Sequence, residues 1–144
     1  MIPVFEHIFM GQNLYERTVM PVCRAFGLTY MEFTVLMFLV NNPQYDTAAQ
    51  IVKIRRLAKS HVSISVKGLQ ERGFVQGVYF PGNQKTLHLQ VTEAAKPVVE
   101  AGLAAQREFG EILARGFTQE ELDQLMKLTE KIHKNMKQEE EEYE

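Results

Sequence analysis

Residues 59–75 read KSHVSISVKGLQERGFV, and the pattern in this stretch decides the fold. Val62, Val66 and Leu69 recur at helical spacing, which predicts a helix over residues 59–72 with one core-facing stripe. Gly73 is typical of the residue that follows a helix C-terminus. The opposite side of this helix carries Ser60, Ser63, Ile64 and Lys67. The stretch therefore predicts a helix that packs on one side and presents a polar, cationic face on the other.

Capping boxes mark three further helix starts, because a Thr hydroxyl and a Glu or Gln three residues later can satisfy each other's backbone N–H groups. The pairs are Thr29 with Glu32, Thr47 with Gln50, and Thr118 with Glu121. They predict helices over residues 30–41 and 48–54 and a last helix after residue 118. The first of these helices carries apolar residues at spacings that predict a single buried face: Phe33, Leu36, Met37 and Val40.

A change of period after residue 73 predicts a β-hairpin. Leu87, Leu89 and Val91 alternate with polar residues, as in a half-buried strand, and residues 74–80 are rich in β-formers. Residues 81–84 read PGNQ, which is turn chemistry. The order is thus two helices, a tight connection, a helix with a basic face, and a hairpin, which predicts a helix-turn-helix followed by a wing.

Amphipathic segments flank this middle region. The N-terminal segment is predicted to be a helix that Gly11 weakens and that ends near Pro21. After Thr92, Pro97 requires the next helix either to kink or to start later, and Gly116 ends it. The fold class is therefore mainly α with a small β-hairpin wing (α+β). The bulky N-terminal side chains favour the core of a dimer over a ligand pocket. These side chains are Phe5, Phe9, Tyr15, Met20 and Phe26.

Charge is concentrated in the middle of the chain. The protein has 144 residues and a net charge of −2, yet seven basic residues and one acidic residue lie between Lys53 and Lys85. Such a block is either a solvent-exposed face or a binding surface for an acidic partner. Its place on a helix-turn-helix favours DNA as that partner. The candidate DNA-binding residues are Arg55, Arg56, Lys59, Ser60, His61, Ser63, Ile64, Lys67, Asn83, Gln84 and Lys85. Among them, Ser60, Ser63 and Lys67 are placed to meet bases or phosphates. The arginines and Lys59 are placed to meet phosphates.

An ordered set of segments in this chain resembles the MarR family of bacterial winged-helix transcription regulators. The segments are residues 28–32, residues 59–63, residues 69–75, the hairpin, and residues 91–93. The resemblance covers nearly the whole chain. It implies a single chain in which residues 28–92 form the DNA-binding lobe and residues 1–27 and 93–142 form a helical dimerisation region.

The resemblance also implies partners. It implies a homodimer that binds a palindromic operator in double-stranded DNA, and a crevice that takes small aromatic acids or phenols. By position, residues 59–72 are the recognition helix and residues 81–85 the wing tip. The family usually has Asp and Arg in the wing, where this chain has Asn83 and Lys85, and Gly77 stands where a basic residue is common. Lysine forms no bidentate fork, so weaker readout of minor-groove shape is expected.

Other functional classes find little support in the sequence. No phosphate loop, nucleophile elbow or metal-helix motif occurs, so we expect no enzyme activity, no metal and no cofactor. The lone Cys23 forms no intrachain disulfide, and a structural thiol is favoured over a redox sensor. Without an apolar span or export signal, the chain is expected to be cytoplasmic, with no membrane partner. The alternative function is a winged-helix module that binds an acidic protein surface and has no operator of its own.

Overall fold

The computed structural model of this protein describes residues 4–142, with side chains described for residues 6–141. Phe5, assigned above to a dimer core, has its side chain outside the described residues. The elements in chain order are α1 (Val4–Phe26), α2 (Tyr30–Asn41), α3 (Ala48–Arg55), α4 (Lys59–Glu71), β1 (Val75–Phe80), β2 (Asn83–Val91), a 3-10 helix (Glu93–Ala95), α5 (Lys96–Leu113) and α6 (Gln119–Glu142). This order confirms the predicted class, mainly α with one antiparallel hairpin.

The chain forms two compact units, Met1–Phe109 and Gly110–Glu144. The first contains the helix-turn-helix and the wing. In the second, the predicted capping box is present, because the backbone N–H of Glu121 donates to the Thr118 hydroxyl at 3.2 Å and the Thr118 N–H donates to the Glu121 carboxylate at 2.9 Å. The structure thus confirms the start of α6 at the predicted place.

Helix α2 is buried on two sides, and the prediction of a single buried face is wrong. Val35, Leu36, Phe38 and Leu39 belong to one cluster, which also contains the core-facing residues of α3, α4 and the hairpin. Phe33 and Met37 belong to a second cluster with the buried α1 residues Val19 and Cys23 and with Ala105 of α5. Because α2 packs against different partners on its two sides, its apolar residues extend beyond the narrow stripe of a surface helix.

Helix α1 runs through both positions at which the sequence predicts a break. It is continuous at Gly11 and at Pro21 and ends only at Phe26, before Gly27 with φ of +65°. Proline removes one backbone donor from the helix, but Val19 and Cys23 are both buried, and this packing stabilises the helix on either side of Pro21.

Within residues 4–142, no single helix is long and apolar enough to cross a membrane. The segments Glu6–Phe26 and Tyr30–Asn41, with a bend of 100° between them, meet that test only as a pair.

The hairpin has a tighter turn than predicted. Strand β1 pairs with β2 from Val75 opposite Val91 to Phe80 opposite Asn83, with an irregularity between Val78 and Phe80. Because Gly82 adopts a φ of +81°, the chain reverses within residues 81 and 82, and β2 begins at Asn83, which the sequence places in the turn.

The region around Pro97 follows the second of the two alternatives left open above. A 3-10 helix over Glu93–Ala95 precedes α5, which starts at Lys96. Pro97 therefore lies in the first turn of α5. Its missing N–H removes no intrahelical hydrogen bond there.

Candidate nucleic-acid interface

Helix α4 has the two faces that the sequence predicts. Val62, Val66 and Leu69 are buried in the core, together with Ser65, which the sequence pattern does not single out. The opposite face is exposed to solvent and consists of Lys59, Ser60, His61, Ser63, Ile64 and Lys67. The structure therefore brings six of the predicted DNA-binding residues together on one helix surface.

The connection before α4 is short and held by backbone hydrogen bonds. The Thr47–Gln50 capping box starts α3, and Arg56 ends it in a left-handed conformation with its N–H donating to the carbonyl of Val52. The Leu57 N–H donates to the same carbonyl at 3.3 Å. At the start of α4, Ala58 provides no side-chain cap, so the first backbone N–H groups of the helix are not capped by a side chain.

The basic block divides into cations with different surroundings. Lys59, Lys67 and Lys85 are exposed, as the electrostatic interpretation requires. Arg72 instead donates from its two terminal nitrogens to the carbonyls of Phe26 and Gly27 at the end of α1. Arg72 therefore links α4 to the C-terminus of α1, although the sequence analysis includes it in the basic block that favours an acidic partner.

The wing is ordered by Asn83 rather than by an ion pair. The Asn83 side-chain oxygen accepts from the backbone N–H groups of Lys85 at 3.0 Å and Thr86 at 3.2 Å, and its nitrogen donates to the Thr86 hydroxyl at 3.3 Å. These bonds hold the segment that carries Lys85 at the start of β2. Gln84 and Lys85 are exposed there. A direct role of Asn83 in DNA contact stays a prediction.

The absence of a basic side chain at position 77 has a packing reason. A Cβ atom on Gly77 would lie 2.6 Å from a methyl carbon of Leu87. The half-buried Leu87 packs against the winged-helix core. A larger residue at position 77 would therefore displace an apolar side chain at the root of the wing.

A second contact anchors the wing, and the sequence analysis misses it. The Nδ1 atom of His88 in β2 lies 2.9 Å from a carboxylate oxygen of Asp46, and the Leu89 N–H donates to the Asp46 carbonyl at 2.7 Å. The Phe80 ring stacks on the His88 imidazole with 3.9 Å between centroids. Asp46 immediately precedes Thr47, the N-cap of α3, so this contact couples the wing to the start of the helix-turn-helix.

Tyr15 and Arg55 both line two of the cavities in the first unit. One has a volume of about 360 Å³ and is lined by Tyr15, Thr34, Met37, Phe38, Asn41, Asn42, Arg55 and Gln106. The other has a volume of about 460 Å³ and is lined by Gly11, Gln12, Tyr15, Glu16, Tyr30, Arg55 and Phe109. The structure thus places Arg55, predicted to contact phosphate, in the walls of two cavities.

The walls of these cavities carry a hydrogen-bond network. Asn41 donates to the Gln106 side-chain oxygen at 2.9 Å, and Gln106 donates to the Tyr15 hydroxyl at 2.8 Å. The Tyr15 ring meets the Phe109 ring edge to face with 5.3 Å between centroids. Burial raises the pKa of the Tyr30 hydroxyl, as do Tyr15 and Glu16, whereas Arg55 opposes the shift. Tyr30 therefore remains a neutral donor at neutral pH.

The remaining candidate chemistry is limited. Burial raises the pKa of the Cys23 thiol, which favours the unreactive thiol over the thiolate. Among the side chains that the structure describes, no group of three or more His, Cys, Asp or Glu residues could hold a metal ion.

A helix-turn-helix joined to a two-stranded wing defines a winged-helix protein. A family model described as the MarR family matches residues 26–78, and this segment of the chain is of the MarR family, which confirms the resemblance drawn from the sequence. No curated protein matches the sequence.

Solved structures match over nearly the whole chain. The transcriptional regulator SlyA is 17% identical with a TM-score of 0.79, covering 99% of each chain. A MarR family transcriptional regulator from Silicibacter pomeroyi is 18% identical with a TM-score of 0.78, covering 92% of this chain and 89% of that one. A protein from Listeria monocytogenes, solved in complex with a 26mer DNA, is 15% identical with a TM-score of 0.77, covering 94% of this chain and 89% of that one. At these identities the likeness concerns the fold.

Proposed function

We propose that this protein regulates transcription by binding double-stranded DNA through α4 and the wing. The observation that carries the proposal is the outward face of α4, where Ser60, Ser63 and Lys67 lie exposed on a helix whose other side is buried. An α-helix fits the major groove of B-DNA, and hydroxyl and ammonium groups hydrogen-bond to base edges there. The Listeria monocytogenes protein that was solved with DNA has a similar fold, which supports this mode of binding.

The interface residues take different roles in this proposal. Ser60, Ser63 and Lys67, on the outward face of α4, would meet base edges, with His61 at the flank. Lys59 and Arg56, near the start of α4, would meet phosphates, which determine register without reading sequence. Gln84 and Lys85, at the start of β2, would follow the backbone or the minor groove, and Asn83 would keep them ordered there.

The proposed active form is a homodimer on a palindromic site. In the second unit, α6 exposes four apolar side chains at spacings of three, four and four residues: Leu125, Leu128, Ile132 and Met136. This spacing places them along one side of the helix. An apolar row of this kind on a helix is typical of a surface that a second subunit covers. Two-fold symmetry would then present two copies of α4 to half-sites about one helical turn, or 34 Å, apart.

The two cavities support regulation by a small aromatic acid or phenol. Arg55 offers a guanidinium for a carboxylate or phenolate, and Tyr15 and Phe109 offer aromatic walls. Arg55 is also the last residue of α3, three residues before the N-cap of α4. A ligand that draws Arg55 toward the cavities would therefore act on the connection that orients α4, and it would weaken DNA binding if it favours a different orientation.

DNA binding is tested by selecting sequences from a random duplex library and measuring affinity by fluorescence anisotropy at several salt concentrations. We expect a palindromic consensus and an affinity that falls steeply with salt. Lys67→Gln should alter the preferred sequence, whereas Lys85→Gln should weaken binding to all sequences. A library that yields no enriched site, with proteins recovered instead in a pull-down, would overturn the proposal in favour of a protein-interaction module.

The dimer is tested by light scattering on the full chain and on a variant with Leu128→Glu and Ile132→Glu. We expect a dimer for the unchanged protein and a monomer for the variant, with loss of operator binding. Glu130→Gln is the matched control, because Glu130 is also exposed on α6 but outside the apolar row. A monomeric unchanged protein that still binds a palindrome tightly would contradict this part of the proposal.

The effector site is tested by adding benzoate to the protein–operator complex. Cyclohexanecarboxylate has the same charge and similar size but no aromatic ring, so it is the matched ligand control. Benzoate should release DNA from the unchanged protein, and Arg55→Gln should abolish this response. Should Arg55→Gln instead reduce the salt dependence of DNA binding and leave the benzoate response intact, Arg55 would be a phosphate contact and not an effector residue.

A further inference from the structure

Ile64 is the feature of the α4 surface that a phosphate-binding role does not explain. It is 70% exposed, which is the largest exposed fraction among the large apolar side chains between residues 28 and 92. Ser60 and Lys67 lie one helical turn to either side of it, and Ser63 is adjacent. Ile64 therefore lies near the middle of the outward face rather than at its edge.

The folded chain gains little from Ile64. The core-facing side of α4 is completed by Val62, Val66 and Leu69, which are buried on the opposite side of the helix. Isoleucine is also a weaker helix former than alanine or leucine, because its branched side chain loses rotamer freedom against the preceding turn. An exposed isoleucine here contributes neither packing nor helix propensity, which points to a contact made outside this chain.

The surroundings of Ile64 identify the chemistry of that contact. The neighbouring hydroxyls and ammonium groups suit a polar, anionic partner, which the proposed function identifies as the DNA major groove. The C5-methyl group of thymine is the apolar group that base pairs present in that groove, and the other edge groups there are hydrogen-bond donors and acceptors. Burying those polar groups against isoleucine without a hydrogen bond would oppose binding.

We infer that Ile64 reads the C5-methyl group of a thymine in each half-site of the operator. This inference rests on the proposed function, since it needs α4 to enter the major groove. The polar residues around Ile64 would supply hydrogen bonds, and Ile64 would supply discrimination through apolar contact. Burial of one methyl group corresponds to about a fourfold change in affinity, or about 15-fold for two independent half-sites.

The test replaces thymine by deoxyuridine, which pairs in the same way but lacks the methyl group. Selected operator duplexes carry this replacement at one symmetric position pair at a time, and their affinities are measured by anisotropy. For the unchanged protein we expect a loss of about 15-fold at one position pair. Ile64→Ala should bind the thymine duplex and the deoxyuridine duplex with equal affinity. Ile64→Val should show a difference in affinity between those of the unchanged protein and Ile64→Ala.

Gln70→Ala is the matched control, since it alters an exposed side chain of the same helix outside the candidate interface and should keep the full difference between thymine and deoxyuridine. Circular dichroism should show all three variants folded, because the substituted side chains are exposed. No difference between the two bases at any position, or a difference that Ile64→Ala retains, would overturn the inference while leaving DNA binding established. Failure to select any operator would refute the proposed function and this inference with it.

Discussion

Arg72 and Lys85 provide a sharp test of how the basic block is used, because they carry the same charge in different surroundings. Arg72 donates to the carbonyls of Phe26 and Gly27 at the end of α1. Lys85 is exposed near the wing turn. Replacing either residue with glutamine removes one positive charge, so any general effect of net charge is the same in both variants.

The expected effects on stability differ. Arg72→Gln removes two charge-assisted hydrogen bonds, which after allowance for their solvent exposure stabilise the fold by about 1–2 kcal/mol in total. For a chain of this length that corresponds to a fall in Tm of about 5 °C. Lys85→Gln should leave the Tm unchanged within about 1 °C, because a surface substitution away from special contacts changes stability little.

The expected effects on DNA binding are reversed. Lys85→Gln should reduce the slope of log affinity against log salt by about 0.9 per subunit, the value for one lost phosphate contact. Arg72→Gln should leave that slope unchanged at a temperature where the variant is folded. The assays are thermal unfolding by circular dichroism and anisotropy with an operator duplex. If Arg72→Gln lowers the slope and leaves the Tm unchanged, the assignment of Arg72 to the scaffold is wrong.

Three further predictions concern the wing root, the buried thiol and the packing of α5. His88→Ala removes the contact with Asp46 and should weaken operator binding several-fold with a loss of about 1 kcal/mol in stability; unchanged affinity in the anisotropy assay would refute the coupling. Because burial raises the pKa of the Cys23 thiol above 9.0, the unfolded chain releases this proton first, so stability should fall as pH rises past 9.0. Cys23→Ala should make that decline shallower in urea titrations at pH 8–10, and an equal decline would contradict the assignment. Gly102→Ala should destabilise the protein by about 1 kcal/mol, because the new Cβ would lie 2.7 Å from the sulfur of the buried Met37. Gly110→Ala in the same helix meets nothing within 4 Å and should stabilise the protein by up to about 1 kcal/mol. Urea unfolding in which both substitutions change the free energy of unfolding in the same direction would refute this.

Local signals predict the helix-turn-helix well. The capping threonines at positions 29, 47 and 118 mark helix starts because both hydrogen bonds of a capping box join residues three apart. The two faces of α4 follow from helical spacing alone, and the exposed residues on it are those expected. The strand residues alternate for the same reason, since the period is a property of the local backbone.

Long-range packing accounts for what the sequence analysis misses. The continuation of α1 past Pro21 depends on buried neighbours in α2 and α5, and no residue near Pro21 indicates them. His88 and Asp46 are 42 residues apart, and their pairing has no sequence signature. By sequence alone, Arg55 and Arg72 are similar to the other cations. Only the structure shows that Arg55 lines two cavities and that Arg72 links α4 to α1, whereas Lys59, Lys67 and Lys85 are exposed.

The position of Arg55 at the end of α3 has a consequence for how such proteins diverge. The other side chains that line the cavities come mainly from α1, α2 and α5, whereas the outward face of α4 belongs to other residues. Under the proposed function, duplicated genes would therefore acquire new chemical inputs by mutation of the cavity walls while each copy keeps its target promoters. The same separation would let an engineer build biosensors for new metabolites on one reporter system.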